Sequence, residues 1–142
     1  MTRTPLTAPT TLLRLEGGAL LAGTLALYGA RGGRWPLLAA LVLAPDLSML
    51  GYRAGPAVGA VCYNAAHTTL GPLALGAYAL LTGRPIPTFL ALIWGAHIGL
   101  DRALGYGLKY PDGFTATHLG GSTAPHAGAG TFPRRARRES AV

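Results

Sequence analysis

Charge is what this chain has least of. Only 12% of its 142 residues are Asp, Glu, Lys or Arg, about half the usual share in a soluble domain. A water-soluble fold of this size would have to hide long uncharged stretches in a small core. An ordinary soluble domain is therefore not the expectation. Cysteine is nearly absent: Cys62 stands alone, so neither an internal disulfide nor a thiolate zinc site can form within one chain. Its place in an apolar run suits packing. The chain has no internal repeat, and no compact metal signature of the His-Glu-x-x-His type. A basic aromatic platform is missing too. Four arginines crowd into positions Arg134, Arg135, Arg137 and Arg138, which reads as a positive tail and not as a nucleic-acid surface.

What is present is a series of apolar segments punctuated by Arg, Gly and Pro. Residues 12–30 make the first, entered through Arg14 and Glu16 and closed by Arg31-Gly32-Gly33-Arg34. Glu16 and the want of a cleavage site argue for an uncleaved span instead of a signal peptide. Residues 35–52 make the second, with Trp35 and Tyr52 at its ends, where aromatic rings favour the lipid boundary. Residues 54–83 carry no charge at all, with Pro56 suited to a first turn and Pro72 expected to kink the run. A fourth segment covers residues 86–106, its last turns bearing Asp101 and Arg102. Gly105-Tyr106-Gly107 resembles part of a potassium filter but ends a span, so it is read as a turn.

The expectation is an all-α integral membrane bundle of four transmembrane helices spanning residues 12–120, with an interfacial loop at its C-terminal end. Residues 1–11 read as a flexible N-terminus and residues 121–142 as a disordered basic tail. One side of the bundle receives Arg3, Arg14, Arg53, Arg102, Lys109 and the four tail arginines; the other receives Arg31, Arg34 and Arg84. By the positive-inside rule both termini are cytoplasmic, in a multi-pass protein of the cell membrane. The lipid bilayer is the expected partner, small-residue faces make a homodimer reasonable, and nucleic acid is not expected. Gly17, Gly18, Gly23, Gly55, Gly59 and Ala60 are candidates for close helix approach.

Inside this apolar frame stand five groups that lipid should reject: Asp46, Asn64, His67, His97 and Asp101. Such groups persist at bilayer depth mainly where they pair or act. Asp46 precedes Arg53 by seven residues, about 10 Å along an α-helix. Asn64 and His67 lie about 12 to 16 Å beyond Pro56. All fall in the cytoplasmic half with Glu16, which predicts a polar pocket opening to that side. Asn64 and His67 are three apart, and His97 and Asp101 four apart, so each pair shares a helix face. Pro45, just before Asp46, removes a backbone bond and can leave a carbonyl free.

Two imidazoles and two carboxylates suit zinc or another divalent metal. Asp46, His67, His97 and Asp101 are the candidate metal ligands and candidate catalytic residues. Asn64 would orient a ligand or water, with Arg102 and Lys109 receiving an anionic head group. Such a centre could hydrolyse a lipid-borne ester, amide or phosphate. The same residues fit a proton or cation carrier, and they fit plain hydrogen bonding between helices. The sequence leaves these three readings, and with them the question of enzyme or not, open. His118 and His126 are read as solvated.

Six strings carry a resemblance: LRLEG at 13–17, APDLSMLGY at 44–52, GPAVGA at 55–60, YNAAHT at 63–68, WGAHIGLDRALGYGLKYPDGF at 94–114 and THLG at 117–120. Together they resemble the bacterial membrane family called domain of unknown function 4260, over residues 13–120. The resemblance implies a small multi-pass membrane protein and supplies no activity. Its motif-bearing positions include Glu16, Asp46, Ser48, Asn64, His67, His97, Asp101, Arg102 and Lys109. A looser likeness to membrane-bound metal-dependent hydrolases rests on Pro-Asp and His motifs alone.

Overall fold

Proline sets where the helices begin and where they break. A computed structural model describes residues 8–119; the N-terminal residues 1–7 and the basic tail, with His126, lie outside the described residues. Five α-helices and one 3-10 segment follow in order: α1 (Pro9–Ala30), α2 (Trp35–Leu41), the 3-10 segment (Ala44–Ala54), α3 (Pro56–His67), α4 (Leu70–Thr82) and α5 (Pro85–Leu104). α1, α2, α3 and α5 each carry Pro in the first turn, where its missing N–H has no intrahelical partner to lose. No strand forms among the described residues beyond an isolated bridge between Lys109 and Thr117. The all-α expectation is met.

Two internal prolines divide the expected second and third segments. Pro45 cannot donate to the carbonyl of Leu41, and its ring crowds that carbonyl; α2 accordingly ends at Leu41. The chain continues as a 3-10 helix of 11 residues, far longer than such helices usually run. Pro72 acts the same way four residues back on Thr68, which adopts an extended conformation (φ −78°, ψ 142°) and ends α3. The expected third segment is thus two helices of 12 and 13 residues, broken beside His67. α4 and α5 end at Gly83 and Gly105, both in the left-handed region (φ 65° and 96°). At Gly105 its own N–H donates to the Arg102 carbonyl and that of Tyr106 to the Asp101 carbonyl, the paired closure that an αL residue permits.

α1 and α4 both pack on α5, whereas α3 packs chiefly on the 3-10 segment. Gly17 and Gly99 let α1 and α5 touch backbone to backbone: a Cβ at Gly99 would lie 2.6 Å from the Leu21 nitrogen, and one at Gly17 2.7 Å from the Ala103 nitrogen. Gly59 makes room for the Tyr52 ring and Gly51 for Cys62, while Gly18 and Gly23 face open space. The largest fully buried side chains are Tyr28, Ile98 and His97. Large apolar residues cover the outside instead, Leu81 at 88% exposure and Leu80 at 74% among them.

Among the described residues one helical stretch, Trp35–Ala54, is long and apolar enough to cross a membrane, and none of its apolar window is buried inside the fold. That exposure rules out a buried core helix for this stretch. α1 and α5, at 22 and 20 residues, have the length, but polar residues interrupt their apolar runs; α3 and α4 are each too short to cross alone.

Candidate metal centre

His67 is the last residue of α3 and Asp46 the third of the 3-10 segment, so both proline breaks deliver an ionisable side chain to the same place. His97 and Asp101, one turn apart on α5, meet them there. His67 Nε2 lies 3.0 Å from His97 Nε2, 3.4 Å from Asp46 Oδ1 and 3.5 Å from Asp101 Oδ2. His97 Nε2 lies 3.6 Å from each carboxylate oxygen. One donor atom from each of the four residues falls within 4.8 Å of all the others. A tetrahedron with metal–ligand distances of about 2.0–2.1 Å has edges of about 3.3–3.4 Å. Five of the six edges here, at 3.0 to 3.6 Å, bracket that length.

Protons in the cluster are too few for the acceptors. The His67 Nδ1–H donates to the Tyr63 carbonyl at 2.8 Å, which leaves its Nε2 a bare lone pair in the neutral ring. Asp46 and Asp101 contribute further acceptors, and His97 Nε2 can offer one N–H at most. Three acceptors, His67 Nε2 and one oxygen of each carboxylate, thus face at most the His97 N–H and the Tyr63 hydroxyl proton, with His67 and His97 at 4% and 1% exposure. A divalent cation at the centre would satisfy all four side chains. Fixing one imidazole nitrogen on a backbone carbonyl is also how metal-binding histidines are oriented. His97 Nδ1 is buried without a partner, as are Ser48 Oγ and the Tyr52 hydroxyl. Among the described residues the His97 ring is thus held by polar contact on its Nε2 side and by packing on its Nδ1 side.

Tyr63, which the spacing of charged residues did not single out, supports the centre twice. Its hydroxyl donates to Asp101 Oδ2 at 3.1 Å, and its ring stacks on His67 with centroids 3.6 Å apart. The signal was available, since Tyr63 and His67 stand one turn apart on α3. Trp94 was also missed; its indole N–H donates to the Ala66 carbonyl at 2.6 Å and braces α3 against α5.

Residues 105–119 strap over this end of the bundle. Asn64, expected to orient a ligand or water, spends its amide on the strap: its Nδ2 donates to the Lys109 carbonyl and its Oδ1 accepts from the Lys109 N–H, at 2.8 and 2.7 Å. Lys109, expected to meet a head group, is buried. Its Nζ donates to the Phe114 carbonyl at 2.8 Å and sits 3.9 Å above the Phe114 ring and 4.7 Å from that of Tyr63. Burial pulls the lysine below its ordinary value of 10.5, partly offset by Asp101. His118, though exposed, accepts the Leu108 N–H through Nδ1 and closes the strap. Arg102 is half-buried beside Gly17, and Glu16 is exposed.

Two cavities lie among the elements that carry the centre. One of about 10 Å³, between Tyr63, His67, Asp101 and Leu108, has room for roughly one water. The other, about 330 Å³, is apolar and lined by Ile93, Trp94 and, next to Asp46 and His67 in sequence, Pro45 and Ala66, among others, with none of the four cluster side chains in its wall.

No curated protein and no solved structure matches the chain. The family model for the domain of unknown function DUF4260 matches residues 10–121, and the chain belongs to that family.

Proposed function

We propose that this chain is a multi-pass integral membrane protein that binds one divalent metal ion, zinc by preference, through Asp46, His67, His97 and Asp101. The observation that carries the reading is the convergence of two imidazole nitrogens and two carboxylate oxygens at near-tetrahedral spacing. An N₂O₂ donor set with an oriented imidazole suits zinc among the common divalent ions. The membrane placement draws support from the exposed leucines and from the unburied Trp35–Ala54 stretch. At 1.5 Å per residue, α1 and α5 span about 33 and 30 Å, close to the hydrocarbon thickness. α3 and α4 together make the remaining crossing as a broken helix, with the break at the metal. Arg14, Arg53, Arg102 and Lys109 then lie on the cytoplasmic side, and Arg31, Arg34 and Arg84 on the other.

A second reading, metal-dependent hydrolysis of a lipid-borne ester, amide or phosphate, draws support from the 330 Å³ apolar cavity among the elements that carry the cluster. A lipid chain held there would have to extend its polar bond past Pro45 and Ala66 to meet the four side chains. The bound ion would supply Lewis-acid polarisation. Asp46, the most exposed ligand at 32%, is the one free to yield its position to water, and Tyr63 holds Asp101 in place meanwhile.

Elemental analysis of the detergent-purified full chain, beside a His67→Ala, His97→Ala variant checked by circular dichroism, tests the metal. One ion per chain, lost in the folded variant, is expected. Wild type that carries no metal and takes up none from stoichiometric zinc overturns the proposal.

A further inference from the structure

At the end of the bundle opposite the metal centre, a cationic mouth opens into a long apolar groove. The groove, about 680 Å³, has Leu20 and Leu27 of α1 on one wall, Leu73 and Gly76 of α4 on the other, and Ala91 and Gly95 of α5 as its floor. At its outer end it meets a second cavity of about 400 Å³ that holds Arg84, and the two share Arg31, Leu80 and Thr88. Both arginines are exposed. Among the described residues neither guanidinium has an ion pair, and the described carboxylates, Glu16, Asp46, Asp101 and Asp112, all lie toward the strap end. Two uncompensated positive charges thus stand over an apolar trough.

We infer that this groove binds one anionic phospholipid, its phosphate at Arg31 and Arg84 and one acyl chain lying between α1 and α4. Length supports that occupant. From Arg31 to Leu20 the groove runs eleven residues along α1, about 16 Å, which is half of a hydrocarbon core about 30 Å thick. A single leaflet's acyl chain has that reach. Gly76 leaves space that a linear chain fills, since a Cβ there would meet only Ala91, at 3.8 Å. The guanidiniums supply the planar, multidentate donors that phosphate favours. This inference rests on the membrane placement proposed above and is independent of the metal.

Native mass spectrometry of the delipidated full chain, titrated with phosphatidylglycerol and with phosphatidylcholine, tests it. The expected result is one phosphatidylglycerol per chain, bound in preference to phosphatidylcholine. Arg31→Gln with Arg84→Gln, both exposed and harmless to packing, should weaken phosphatidylglycerol roughly 30-fold, at about 1 kcal/mol for each arginine. Gly76→Leu should block both lipids, because a Cβ there meets only Ala91, at 3.8 Å, and its side chain enters the groove. Equal retention of the two lipids by wild type, binding unchanged in both variants, displacement by inorganic phosphate, or a lipid-free dimer closing the groove would each overturn it. A chain absent from the membrane fraction would sink the membrane placement itself; a membrane-resident chain indifferent to phosphatidylglycerol would sink only this inference.

Discussion

Tyr63→Phe removes one oxygen from the candidate centre and leaves the rest of it in place. The ring still stacks on His67, and the Tyr63 carbonyl, a backbone group, still accepts the His67 Nδ1–H. What goes is the hydroxyl donated to Asp101 Oδ2. Loss of an outer-shell partner usually weakens metal binding about 10- to 100-fold. The distance of 3.1 Å is long for a hydroxyl on a carboxylate, where about 2.5–2.7 Å marks the strong bonds. The lower end of that range follows: about tenfold, or about 1.4 kcal/mol. Chelator competition for zinc on the detergent-solubilised chain reads this directly, with circular dichroism as the folding control. If the four side chains were only interhelical hydrogen bonds, Tyr63→Phe would lower the melting temperature and leave zinc affinity without a wild-type value to fall from. An unchanged zinc affinity in a folded variant refutes the assigned role of Tyr63.

Two further outcomes follow from packing and charge. Gly99→Ala should destabilise by about 1–3 kcal/mol in detergent thermal unfolding, because its Cβ would meet the immovable backbone of Leu21 and Gly17; Gly18→Ala, with nothing within 4 Å, should leave stability equal or higher. A Gly99→Ala protein as stable as wild type would refute the close α1–α5 contact. For Lys109, the folded-state value lies below 10.5, so the unfolded chain binds more proton between the two values and stability rises with pH across that window. The penalty of burying the charge is fully present below the folded value and gone above 10.5. Unfolding measured from neutral pH upward should show that slope in wild type and lose it in Lys109→Met; identical slopes would refute the burial of the ammonium.

Much of the candidate centre was legible because period and depth are both linear functions of sequence. The spacings 64/67 and 97/101 put pairs on faces, and the count from Arg53 and Pro56 put them at one depth. What escaped was whatever proline did to geometry. Taking residues 35–52 as α-helix set Asp46 about 10 Å from Arg53; a 3-10 segment rises about 2.0 Å per residue, which makes that separation about 14 Å. Pro72 was expected to kink the third segment, and the actual break falls four residues earlier, where its ring meets the Thr68 carbonyl. Asn64 and Lys109 were assigned ligand-facing roles, Asn64 in the pocket and Lys109 at the interface, but each found a partner 45 residues away in sequence, a contact that no local pattern encodes. Tyr63 was overlooked because a tyrosine in an apolar run looks like packing.

The contact pattern gives the cluster a structural meaning beyond its chemistry. α1, α4 and α5 form one packed group, and α3 with the 3-10 segment forms another. What ties them at the strap end is polar: His67 and Asp46 against His97 and Asp101, Tyr63 on Asp101, Trp94 on the Ala66 carbonyl, and Asn64 on the strap that leaves α5. In a membrane, helices gain little from apolar contact because lipid is equally apolar, so association depends on packing and such polar ties. A cluster with more acceptors than protons makes a poor tie by itself, since the carboxylates repel each other in a low-dielectric setting. A bound cation, as proposed, would reverse the sign of that interaction and join both groups at once. Binding only the assembled form, it would stabilise by mass action, by about 2.7 kcal/mol at a hundred times its Kd. The proline breaks are what make this geometry possible: an unbroken α-helix through residue 46 or residue 67 would turn its ionisable residue to a direction fixed by the whole span, whereas a helix end lets it point where three elements meet.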